Sequence, residues 1–144
     1  MRRMPFAEVD GFVVVMQGYE LCPDSEFDEY IEFLNGLAKR SGEPLRILVR
    51  SHGASLTTMQ RSRLNQLASR YGMSVVVVGT SGAVRILMTM FSWLQKMQTH
   101  GFDDSDMAGA MRYLKMPLTT QKRCEAKIAE FERTLPSTAV GTGP

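Results

Sequence analysis

The chain has only two cysteines and two histidines among its 144 residues. Cys22 and Cys124 lie far apart and share no C-x-x-C or Cys/His spacing, so a metal or redox centre of the usual pattern is excluded. Two reduced thiols, in a cytoplasmic protein, are the expectation. Long apolar runs are missing as well: the longest reach about five residues, where a membrane-spanning helix needs roughly 20. Met1-Arg2-Arg3-Met4-Pro5 is basic, but no signal-peptide run precedes Glu8 and Asp10. Charge of one sign is scarce too. Seventeen basic and 15 acidic residues leave a net charge of +2, too little to imply nucleic acid or membrane insertion. No G-x-S-x-G elbow occurs, and Gly79-Thr80-Ser81-Gly82 lacks the lysine and spacing of a phosphate-binding P-loop.

What is present describes an ordinary globular chain. The length suits one domain, which buries roughly 70% of its unfolded surface and needs no disulfide or metal to hold it. Methionine is the exception in composition, with 11 residues, several of them gathered between Met88 and Met116. Methionine fills irregular gaps in cores and also serves surfaces that accept varied partners.

The order of elements is legible. Asp10-Gly11 separates Pro5–Val9 from Phe12–Met16, and Asp-Gly between apolar runs predicts a tight hairpin. The second strand is apolar without alternation, so both its faces should be covered. Phe27, Tyr30, Ile31, Leu34, Leu37 and Ala38 recur at helical spacing, predicting a helix over 25–40 stopped by Gly42 and Pro44. Leu45–Val49 reads as a strand, 56–71 as a helix and Val75–Val78 as a strand of β-branched residues. Thr80-Ser81-Gly82 opens a third helix with Val84, Leu87, Met88, Phe91 and Leu94 as its stripe. A weak edge strand over 98–102 and a helix over 105–115 follow, the latter begun by Asp103, Asp104 and Asp106. A last helix over 120–135 carries a narrow stripe of Cys124, Ile128, Phe131 and Leu135, suited to packing on the body or on another subunit.

Strands alternating with helices predict an α/β layer fold with a mostly parallel sheet of about five strands and an antiparallel N-terminal hairpin strand. Four helices should flank it, with a fifth added at the C-terminus. The expected division is a domain over 1–117, a helix over 118–135 and a disordered tail over 136–144.

The stretch from Val9 to about Met116 resembles the STAS family, in its SpoIIAA-like branch. The resemblance rests on the hairpin start, then Gln60-Arg61 with Leu64-Asn65, and Val75 to Val78 with Ser81 and Val84-Arg85. Ser92-Trp93, Phe102, Ala110-Met111 and Leu114 complete it. It implies a bacterial regulatory module without catalytic activity or cofactor, which docks a protein partner, a kinase or another signalling protein. In anti-sigma antagonists of that family a Ser or Thr at the tip of the second helix is phosphorylated, within an Asp-Ser type sequence. Here Arg50 to Thr58 fills that stretch and the Asp-Ser pair is missing. Related SpoIIAA-like domains are suggested to bind apolar small molecules.

Two candidate sites follow. The first is the loop and helix start holding Ser51, His52, Ser55, Thr57, Thr58 and Arg61. Free N–H groups at a helix start favour a phosphate or other anion, while a plain N-cap at Ser55 or Thr57 is the structural alternative. The second is an anion site at Thr80, Ser81, Gly82 and Arg85, also at the carboxyl end of a strand, where open α/β sheets collect ligands. His52 beside Ser51 and Ser55 invites a hydrolase reading, but a nucleophile needs a base within reach and a group that orients it. The leading expectation is a partner-docking module using the second and third helices and loop 51–58. The alternative is a carrier or sensor with a cavity beside the sheet, lined by the Met-rich third and fourth helices. A homodimer through Ile128, Phe131 and Leu135 would cover the last helix's stripe.

Overall fold

Asp10 and Gly11 both adopt positive φ (51° and 88°), the turn that lets two strands twist together with a two-residue connection. In this computed structural model, which describes residues 3–91 and 97–135, that turn joins β1 (Phe6–Val9) to β2 (Phe12–Gln17). Phe6 pairs with Val15 and Val9 with Phe12, antiparallel. Every residue of β2 is buried, as its unalternating apolar run predicts.

The remaining strands are parallel: β3 (Leu45–Ser51), β4 (Met73–Gly79) and β5 (Met97–Asp103). Their spatial order is the sequence order, β1-β2-β3-β4-β5. Such an order arises when successive crossovers share one hand, which puts their helices on one face. Those helices are α1 (Asp24–Ser41), α2 (Thr58–Tyr71) and α3 (Ser81–Phe91). Phe27, Leu34, Leu64, Ala68 and Leu87 pack there on Val13, Val15, Ile47, Val75 and Val77. The alternate residues Val14, Met16, Leu48, Val76 and Val78 point to the other face. That face is covered by α4 (Met107–Tyr113) and α5 (Leu118–Thr134) through Met111, Leu114, Cys124, Ile128 and Phe131. Each such side chain, fully buried, contributes roughly 1.5–3 kcal/mol relative to exposure.

Two sequence expectations are corrected here, and one left open is resolved. The second helix starts at Thr58 rather than Leu56, because Thr57 caps it and Leu56 is buried in the preceding loop. The acidic start of the fourth helix splits in two: Asp103 caps a 3-10 turn over Asp104–Asp106, and Asp106 then caps α4 through the N–H of Gly109 at 3.1 Å. The stripe on the last helix packs on its own sheet, with Ile128 and Phe131 each 8% exposed and Leu135 packed against the same cluster. Of the two packings open to this stripe, on the body or on another subunit, the described residues show the first. Leu94, the side chain of Phe91 and the tail over 136–144 lie outside the described residues. Met4, Met16, Met73, Met97, Met111 and Met116 are core residues, and Cys22 and Cys124 are buried thiols in no disulfide. No helix among the described residues is long and apolar enough to cross a membrane.

Candidate functional site at the carboxyl edge of the sheet

The carboxyl ends of β2, β3 and β4 are drawn together by backbone bonds. His52 N–H donates to the Gln17 carbonyl at 2.7 Å, and Ala54 N–H to the Gly18 carbonyl at 3.1 Å. The buried Gln17 amide reaches the Ser55 carbonyl at 3.4 Å. Gly79 ends β4 so close to β3 that an added Cβ would stand 2.7 Å from the Ser51 carbonyl oxygen. Only glycine fits that approach. The loop from Ser51 to Thr57 is thus a fixed part of the sheet's edge.

Thr57 and Gln60 then form a reciprocal capping box. The Thr57 hydroxyl accepts from Gln60 N–H and the Gln60 side-chain oxygen accepts from Thr57 N–H, both at 3.1 Å. The buried Gln60 amide also donates to the Cys22 carbonyl at 2.9 Å and to Asp24 at 3.2 Å. The first turn of α2 is thereby tied to the β2–α1 connection. Two consequences are visible at the surface. Met59 is 70% exposed, and Leu21 and Tyr19, on the β2–α1 connection, are 45% and 41% exposed.

A polar cluster closes the same edge. Glu132, near the end of α5, accepts from His52 Nε2 at 2.7 Å and lies 3.7 Å from Arg50 Nε. Arg50 pairs also with Asp104 and donates to the Val78 carbonyl at 3.4 Å. The His52 ring stacks on Tyr19, 4.7 Å between centroids at 19°. Strand ends, the turn after β5 and the last helix meet in this Tyr19–His52–Glu132–Arg50–Asp104 network. Sequence reasoning found His52 but missed Glu132, Asp104 and Tyr19. Glu132 is adjacent to the buried Phe131, and nothing in its own neighbourhood marks it as facing a strand end 80 positions earlier.

The expected site residues separate by environment. Ser51 is buried at 1% exposure and its hydroxyl accepts from Gly53 N–H. Thr57 is a cap, as the structural alternative held. Ser55 and Thr58 are exposed, and Thr58 Oγ1 accepts from Arg61 Nη2 at 3.1 Å. No serine hydrogen-bonds the His52 ring among the described residues, whose Nε2 is turned to Glu132.

The second group sits at the start of α3. Thr80 Oγ1 accepts from Ala83 N–H at 3.3 Å as an N-cap, with Ser81, Gly82 and Arg85 exposed. A cleft of about 280 Å³ opens beside it, lined by Gly79, Ser81, Val84, Arg85, Phe102 and Asp103. Gly101 makes room for α3 against β5, since a Cβ there would lie 2.4 Å from Val84 Cγ1. Asp103 faces the cleft as a carboxylate, held below the usual range by the Ser105 N–H and then by the Ser105 hydroxyl. A carboxylate in that position opposes an anion, so Thr80, Ser81, Gly82 and Arg85 do not form a purely cationic cradle.

The interior holds little space for a ligand. Between the sheet and α1/α2 a cavity of about 30 Å³ is lined by Met4, Val15, Phe27, Tyr30, Met73 and Met97. That is room for a water-sized molecule, far below the roughly 300–1,000 Å³ of ligand pockets. Its methionines come from strands and the N-terminal segment rather than from the third and fourth helices. Burial pushes the Tyr30 hydroxyl's pKa well up. Among the described residues no group of His, Cys, Asp and Glu could hold a metal ion.

The fold and its edge define an α/β layer protein with a mostly parallel five-stranded sheet covered on both faces. No family model, curated protein or solved structure matches the chain.

Proposed function

We propose that this chain is a SpoIIAA-like, STAS-type regulatory module of the bacterial cytoplasm, which docks a protein partner and carries out no chemical step. The docking surface is α2, α3 and the loop over 51–58, and the partner is a signalling protein. The observation that carries the reading is Met59, 70% exposed on the first turn of α2. The capping box and the Gln60 bonds fix that turn, and Leu21 and Tyr19 are exposed on the β2–α1 connection to which Gln60 ties it. Ile86, 45% exposed, adds an apolar side chain on α3. Single exposed apolar residues are ordinary, but several on fixed, neighbouring elements mark a contact surface. A rigid surface binds with little ordering cost, which favours partner docking over a loop that must fold first.

The carrier reading has less support. A cavity of about 30 Å³ would have to open roughly tenfold to hold a small organic ligand. A phosphate switch at this loop would use Ser55 or Thr58, the exposed hydroxyls, and not Ser51.

Native mass spectrometry of the protein purified from its own host, with denaturing spectra alongside, tests these readings together. The docking reading expects a discrete complex with one other protein, lost when Met59→Asp and Ile86→Asp are combined. A mass raised by a small molecule and restored on denaturation would instead establish the carrier. A covalent phosphate mapping to Ser55 or Thr58 would add the switch to the docking module.

A further inference from the structure

No aspartate or glutamate occurs anywhere between Glu43 and Asp103. That acid-free stretch is β3, α2, β4, α3 and most of β5, and the fold spreads its two helices side by side on one face. All 15 acidic residues lie outside it, on the N-terminal segments and on the turn and helices of the C-terminal third. Acidic α1 lies beside α2 on the same face, so Arg63 and Arg70 share a groove with Asp28 and Glu32, while Arg61 and Arg85 belong to the acid-free stretch with no acidic residue in their own helices. Helices α2 and α3 carry Arg61, Arg63, Arg70 and Arg85, of which, among the described residues, Arg63 alone has a carboxylate partner, Asp28 of α1. Arg70 lies over the Tyr71 ring at 5.7 Å. Arg61 donates to Thr58 and leaves its Nε without a hydrogen-bond partner.

Resting on the docking reading above, we infer that the partner presents an acidic amphipathic segment to the α2/α3 face. Met59 and Ile86 are exposed apolar side chains of α2 and α3, and Arg61 and Arg85 on the same two helices have no ion-pair partner among the described residues. Carboxylates alternating with apolar side chains satisfy both at once. Arginine suits this role because its planar fork takes a carboxylate with two parallel bonds and is more weakly hydrated than lysine. Complementary charge of this kind sets partner choice and association rate.

A negatively charged lipid surface would also be drawn to arginines with exposed apolar neighbours. The layout favours the peptide. Asp103, Asp104 and Asp106 lie at the end of β5 that borders the start of α3, so a broad anionic plane lying on this edge would meet three carboxylates. A narrow segment on the helices would not.

A displayed library of random peptides, selected against the full-length chain, tests the inference. Enriched peptides are expected to be acidic with spaced apolar residues, and to shift the amide resonances of α2 and α3. Arg61→Glu and, separately, Arg85→Glu should weaken them by ~10-fold or more, while Lys122→Glu on α5 leaves them unchanged. Arg85 is exposed and makes no described contact through its charge, so its variant reads binding even if Arg61→Glu harms folding. Neutral or basic peptides enriched on the same face would overturn the acidic partner and leave the docking surface standing. Peptides that map elsewhere, or no binders, would overturn both. Cosedimentation with phosphatidylcholine/phosphatidylglycerol vesicles, lost in Arg85→Glu, would reassign the face to anionic lipid.

Discussion

At Thr57 a single hydroxyl decides where α2 begins and therefore where Met59 faces solvent. Replacing it with alanine removes one half of the capping box and should cost about 1 kcal/mol, read as a lower urea midpoint, with Thr57→Ser close to the parent. An unchanged midpoint would mean that the box is ornamental. Gly79 is held more tightly, because an alanine Cβ would lie 2.7 Å from backbone oxygen of Ser51, which has no side-chain freedom to yield. Gly79→Ala should destabilise by roughly 1–3 kcal/mol and disturb the resonances of the 51–57 loop. Two buried titratable groups set the alkaline limit. Burial first, then the Asp10 and Glu125 carboxylates, push the Cys124 thiol from 9.0 up to about 11, and burial raises Tyr30 further. Both groups are neutral in the fold, so their contribution is complete below the ordinary thiol range. As pH rises the unfolded chain loses these protons first, and stability falls from about pH 9 upward. Cys124→Ala should flatten that fall between pH 9 and 11, as seen in pH-dependent denaturant midpoints. An identical slope in the variant would assign the loss to other groups.

At the scale of elements, α5 completes the molecule rather than decorating it. Cys124, Ile128 and Phe131 cover Val14 and Met16, and Glu132 clamps its end to His52 and Arg50. A chain ended after Pro117 should lose several kcal/mol and aggregate, given roughly 1.5–3 kcal/mol for each large side chain uncovered. Glu132→Gln should do much less, about 0.5–1 kcal/mol, because the pair is partly exposed, and should speed amide exchange in the last turn of α5 only. The same elements show what can be read from residues in order. Val75–Val78 is a strand on β-branching alone, the Asp10-Gly11 hairpin needs only its turn chemistry, and the α1 stripe is plain in its spacing. Which layer receives the stripe of α5 is a question of what else covers β2, and that depends on the whole chain. The Tyr19–His52–Glu132 contacts were illegible for the same reason: three unremarkable residues become neighbours only when strand ends and the last helix converge. The start of α2 was misplaced because Leu56 fits the helical period, and a competing capping box decides the boundary.

The molecule as a whole is polarised. Acidic residues are confined to the chain's beginning and final third, and the two helices of the acid-free middle carry exposed Met59 and Ile86 with Arg61 and Arg85, which have no ion-pair partner among the described residues. With the α5 stripe filled from within, the purified chain should sediment as a 16.1 kDa monomer, and a stable dimer at micromolar concentration would require another surface to be found. The central claim, that the α2/α3 face meets a protein partner, is tested most directly by photo-crosslinking in the host cell. A photoreactive residue is placed at Met59, and in a second strain at Leu118, which is 74% exposed on the opposite layer. One discrete adduct from Met59, absent from Leu118 and abolished by Arg85→Glu, is the predicted result. Adducts from Leu118 alone, or none from either position, would contradict it.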